Sequence, residues 1–164
     1  MRTPPQLAIL LDGLAEGFDR RSWHGTNLNG SIRGLGAEEA AWRPRPTRHN
    51  IWELIVHTAY WKYAATRRIT GATRGRFPLK GSNWFRRPQL GTKPELAGDI
   101  ALLRACHREL AEAVRATPAH QLARRQGRTR YTCAEVIRGI IAHDLYHAGQ
   151  IQLLKRMYRD HQGV

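Results

Sequence analysis

Acidic residues are scarce in this chain. Its 164 residues carry 13 Asp and Glu against 27 Lys and Arg, a formal net charge of +14, and no acid occurs between Glu53 and Glu95. Cysteine is scarce as well. Cys106 and Cys133 stand far apart, outside any CxxC pair, and are too few for the disulfide framework of a secreted domain, so both are expected as reduced packing residues. Long apolar runs are missing: the longest near the start, "LAILL", sits in an amphipathic pattern without a cleavage-site context. Neither a bilayer span nor a signal peptide is expected, and the expectation is a soluble, cytoplasmic protein with no membrane partner. Strand-like alternation, internal repeats and low-complexity tracts are also lacking, and the length suits one domain over residues 1–164.

The basic excess is mostly arginine, 23 residues against 4 lysines, the side chain suited to phosphate and carboxylate recognition. Within the acid-free stretch Lys62, Arg67, Arg68, Arg74, Arg76, Lys80, Arg86, Arg87 and Lys93 accumulate, and Arg124, Arg125, Arg128 and Arg130 form a second cluster. Two readings stand side by side: solvated loops, or a field that draws an anionic substrate or partner. Nucleic acid is the competing partner. Against it, the chain has no helix-turn-helix spacing, no zinc-finger ligand pattern and no RNA-recognition motif.

Four segments carry a helix-start pattern, an N-cap Ser, Thr or Asn followed three residues later by Glu or Gln, and each precedes apolar residues at alternating steps of three and four. They begin at Thr3-Pro-Pro-Gln6, Asn50-Ile-Trp-Glu53, Thr92-Lys-Pro-Glu95 and Thr132-Cys-Ala-Glu135. The expected architecture is all-α, a four-helix bundle. Residues 19–49 form a long first connection with short helical pieces near 29–34 and 37–42. Residues 72–93 form a second, long enough to run the length of a bundle and make helices 2 and 3 parallel neighbours.

The last of these helices contains "IAHDLYHAGQIQLLKR", in which His143 and His147 lie four apart on the same stripe as Val136, Ile140, Ile151 and Leu154. Residues at i and i+4 share a helix face, so both imidazoles point inward. His57 holds the matching seam of the second helix, between Leu54 and Trp61. Spacing alone leaves two explanations open: packed core histidines, as expected for His107, or three ligands of one metal ion with a position left for water or substrate. The zinc-protease pattern HExxH is not met, because Asp144 stands where the general base Glu belongs and the only histidine downstream is His161. Gln150, Tyr146 and Tyr60 are candidates for orienting a ligand or supporting a metal-bound histidine. Glu53 is expected first as a capping residue, Trp52 and Trp61 as core, and His24 and His49 at the surface.

"HDLYHAGQI" together with "NIWELIVHTAYWKY" resembles the DinB/YfiT-like superfamily of small metal-binding four-helix proteins, with "WHGTNLNGSIRGLGAEEAAWRP" and "RITGATRGRFPLKGSNWF" as supporting segments. The resemblance covers about Leu7 to Met157 and implies an up-down-down-up topology. It also implies a divalent metal ion, such as Zn, Ni, Mn or Fe, on His57, His143 and His147. Relatives include transferases and isomerases that use a low-molecular-weight thiol, such as mycothiol or bacillithiol, and homodimers are common among them. The expectation is a metal-dependent enzyme of thiol S-transferase type acting on a small, anionic substrate; the alternatives are a hydrolase, a bundle whose metal only staples two helices, and a nucleic-acid binder.

Overall fold

The computed structural model describes residues 3–125 and 130–163. Six α-helices occur among them: α1 (Pro5–Phe18), α2 (Leu28–Ser31), α3 (Ala37–Ala41), α4 (Ile51–Thr70), α5 (Lys93–Arg115) and α6 (Cys133–Gln162). One 3-10 turn at Ala119–Gln121 separates α5 from α6, and a single antiparallel bridge joins Arg125 to Thr132. No strand is present among the described residues, and none of the described helices is long and apolar enough to cross a membrane. The all-α expectation holds, and the two short helical pieces of the first connection appear as α2 and α3. Arg128 lies outside the described residues.

Three of the four helix starts follow the sequence pattern. Thr92 and Thr132 form full capping boxes with Glu95 and Glu135, and the Asn50 side chain accepts from the Glu53 N–H. The first start does not. Pro4, with ψ 139°, is the N-cap of α1, and no side chain caps the helix. A residue before proline is pushed out of the α region by the proline ring, so Pro4, followed by Pro5, cannot be the first helical residue that a Thr3 cap requires. The Glu53 start is only half a box, because the carboxylate is taken by Arg43 and His49 instead of reaching back to Asn50.

Two apolar clusters fill the interior. One gathers Phe18, Leu28, Ile51, Ile55, Leu103 and Ile151, and the other Leu14, Ile69, Leu110, Val114 and Ile137. Trp52 is fully buried as expected, donating to Asp99 at 2.6 Å. The returning end of the α4–α5 connection presses on it: a Cβ at Gly91 would lie 2.2 Å from the Trp52 ring, so only glycine fits. Cys106 and Cys133 are buried free thiols, and burial pushes Cys106 up to about 11.

Polar groups lie between the clusters. Lys62 on α4 and Asp144 on α6 are both completely buried and ion-paired, and the Lys62 ammonium also lies 3.3 Å from His107 Nδ1 on α5. Phe18 of α1 stacks on His107 at 3.7 Å and lies under the ammonium at 4.7 Å, so four helices meet at this point. Lys62 is therefore not part of a solvated basic surface, and His107 is the packed core histidine expected. Replacing one member of a buried ion pair strands the other's charge, at a cost of about 3–5 kcal/mol, whereas replacing both with apolar residues is often neutral. Urea unfolding should accordingly show Lys62→Met strongly destabilised and Lys62→Met/Asp144→Leu largely recovered; equal stability of wild type and the single variant would refute this account of the pair.

Candidate metal centre

Helix α6 turns one face to α4 and places His143 and His147 on it, while α4 supplies His57 from its second turn. The ligand-capable atoms of the three side chains all lie within 4.8 Å of one another. His143 Nε2 is 3.1 Å from His57 Nε2 and 3.1 Å from His147 Nε2. His57 and His147 are buried and His143 half-buried.

The outer nitrogens fix how these rings carry their protons. His57 Nδ1 faces the Asn83 carbonyl at 2.8 Å, and His147 Nδ1 faces Gln150 Oε1 at 2.6 Å. A carbonyl only accepts, so each Nδ1 is the protonated nitrogen and each Nε2 presents a lone pair toward His143. His143 Nε2 could donate to one of these lone pairs at most, and its own Nδ1 is buried without a partner. Converging lone pairs repel unless a cation sits among them. At the 2.0–2.1 Å bonds typical of zinc and imidazole, tetrahedral ligands stand about 3.3 Å apart, close to the 3.1 Å of the two pairs that His143 makes. The donor set therefore fits a metal ion.

Burial holds the rings neutral, as ligation requires. It lowers His143 to about 3, helped by repulsion from His147 and His57, lowers His147 to about 4, and lowers His57 as well.

Residues that sequence reasoning passed over complete the centre. The connection between α4 and α5 brings Asn83 and Trp84 onto His57. Asn83 adopts a left-handed backbone with φ 62°, accepting from His57 through its carbonyl and from Trp61 Nε1 through its side chain at 2.9 Å. Trp84 lies between two imidazoles, stacked on His57 at 3.9 Å and on His49 at 3.6 Å. His49, expected at the surface, is half-exposed but also joined to Glu53 at 3.0 Å, and Glu53 is clamped by Arg43 at 2.6 and 2.8 Å. Glu53 therefore neither closes a capping box nor orients His57. The available signal was the Asn83-Trp84-Phe85 run, an aromatic pair in a segment otherwise rich in Gly, Pro and Arg.

Of the remaining candidates, Gln150 backs His147, and Tyr146 is largely exposed, its hydroxyl 3.2 Å from Gln150 Nε2. Tyr60 turns away, edge-on to Phe77. Trp61 is half-buried and donates to Asn83. His24 is exposed, and His161 packs near Trp42. Two clefts flank the triad. One, of about 410 Å³, reaches His147, Gln150 and Trp84 between the apolar side chains of Leu54, Leu153 and Met157; the other, of about 340 Å³, reaches His143 beside Trp61.

The buried histidines make the metal-free fold acid-sensitive. Free histidine titrates near 6.5, whereas His107 and His143 are held to about 3 and His147 to about 4. As pH falls below about 6.5 the unfolded chain takes up protons that the folded chain refuses, so stability drops continuously toward the folded values. The urea midpoint of chelator-treated protein should fall between pH 7 and pH 5; a midpoint that rises or stays level over that range would contradict neutral burial.

No curated protein and no solved structure matches the chain. The model of the DinB superfamily matches residues 21–151, a span that holds α4, the connection carrying Asn83 and Trp84, and His57, His143 and His147. The chain belongs to the DinB superfamily.

Proposed function

We propose that His57, His143 and His147 bind one divalent metal ion, and that the protein is a metal-dependent enzyme of thiol S-transferase type acting on small molecules. The observation that carries the metal reading is the convergence of three Nε2 atoms, two of them fixed as lone-pair donors from behind by Asn83 and Gln150. Zinc, nickel, manganese and iron all accept three imidazoles with a position left open. Bound there, the ion would act as a Lewis acid that lowers the pKa of a coordinated thiol or water.

The chain's own residues supply the rest. Asn83 and Gln150 hold the imidazole tautomers, Trp84 covers the face of His57, and the apolar walls of the 410 Å³ cleft offer a small organic molecule a path to His147. Membership of the DinB superfamily supports the same reading.

An up-down-down-up bundle is the arrangement we infer for α1, α4, α5 and α6. Trp52 meets Asp99 near the starts of α4 and α5, and Lys62 meets His107 farther along both, which suits parallel neighbours. Gly13 of α1 lies against Ile141, and Gly17 against Ile141 and then Asp144, so the contact moves the same way along α1 and α6.

Metal analysis of protein purified without a histidine tag should find about one ion per chain, lost in His57→Ala and in His143→Ala, with Gln150→Ala weakening affinity about 10–100-fold. An ion retained in both histidine variants would sink the ligand assignment. Conjugation of electrophiles should then be screened with several bacterial thiols; activity that tracks metal content supports the transferase reading, and its absence with every thiol counts for a purely structural ion.

A further inference from the structure

Beside the metal centre lies a third cleft, of about 610 Å³, whose walls come from residues 43–49 and 84–89. Its lining is polar and strongly basic. Arg43, Arg48, Arg86 and Arg87 face a single carboxylate, Glu53. Two of these arginines are built into the fold: Arg43 forms a two-pronged pair with buried Glu53 and also donates to the Arg48 carbonyl at 2.7 Å, and Arg87 reaches buried Asp99 at 2.6 Å. The other two are not neutralised. Among the described residues no carboxylate lies within 4.0 Å of the exposed Arg48 or Arg86. Arg87 Nε is buried without an acceptor among the described residues.

We propose that this cleft binds the anionic group, phosphate or carboxylate, of a small molecule whose remainder reaches the histidine triad. Guanidinium groups present forked donors that match both oxyanions. The cleft shares Arg48, His49 and Trp84 with the 410 Å³ cleft that ends at His147, and the Trp84 ring is in turn stacked on His57. One aromatic ring thus separates the anion site from a proposed metal ligand. A volume of about 610 Å³ lies within the range of small-molecule sites. As a binding site the cleft stands apart from the metal; its role in holding part of a substrate rests on the function proposed above.

Calorimetric titration of the full chain as purified, at low ionic strength, tests the site with glycerol 3-phosphate and with succinate, glycerol serving as the neutral control. Saturable binding of one or both anions is expected, with none for glycerol. Arg48→Gln/Arg86→Gln should weaken it about tenfold or more while metal content stays unchanged. Arg74→Gln/Arg76→Gln removes the same charge from residues that do not line the cleft and should leave affinity within about twofold. Binding of neither anion overturns the proposal, as does equal weakening by the two double variants, which would trace attraction to net charge alone. A response to only one anion identifies which oxyanion the cleft prefers. Anion binding intact in a protein that holds no metal would overturn the metal centre and leave this site standing.

Discussion

Lys62 and Asp144 form a charged pair with no solvent exposure in either partner, and the placing of the histidines depends on it. Asp144 follows His143 directly, so on α6 its side chain projects about 100° around the helix from that imidazole. Lys62 stands five residues after His57 on α4 and so bears a similar relation to the other half of the centre. With Asp144 drawn to Lys62, α6 can take only a narrow range of rotation and of sliding against α4. Within that range His143 and His147 face His57. An apolar seam would tolerate slippage, since one aliphatic contact resembles the next, whereas a buried charge accepts one partner. The pair is costly: burial pushes the Asp144 carboxyl up while Lys62 pulls it down, and Asp144 Oδ1 is left without a hydrogen bond. His107 and Phe18 offset part of that cost by enclosing the ammonium from α5 and α1.

The helices were legible because their information is local. Capping at Thr92 and Thr132 needs only a side chain three residues from its partner, and the apolar period reports which face is inward. The triad was legible for a related reason: His143 and His147 share a face by helix geometry alone, and His57 lies on a seam that has to meet that face. Asp144 shows where such reasoning stops. Its spacing argued against a peptidase, but the motif alone did not say that its carboxylate points aside from the imidazoles, toward a lysine 82 residues away in sequence. Lys62 itself looked like part of a basic run, since composition carries no information on burial.

Asn83, Trp84 and His49 were hidden for a different reason. They act from connections whose paths are set by tertiary contacts, such as the approach of Gly91 to Trp52 and the hold of Arg67 on the Thr73 carbonyl at 2.8 Å. A loop read as Gly-, Pro- and Arg-rich gives no period from which to place a side chain. Its function is nevertheless specific: a backbone carbonyl on Asn83 fixes one imidazole tautomer, and an aromatic ring closes over it.

Charge is divided unevenly around the centre. Three neutral imidazoles contribute no negative charge, so an ion among them would keep its full positive charge, unlike one held by carboxylates. Asp144, beside His143 in the chain, is taken by Lys62, and Glu53 by Arg43 and His49. Among the described residues Arg48 and Arg86 have no carboxylate partner. Arginines therefore outnumber carboxylates in the basic cleft, and a metal bound at the triad would add further positive charge beside it, which under the proposal above favours an anion. The scarcity of acid in the sequence therefore has a local counterpart: Glu53, the one carboxylate lining the basic cleft, is held by Arg43, and Asp99 behind it by Arg87.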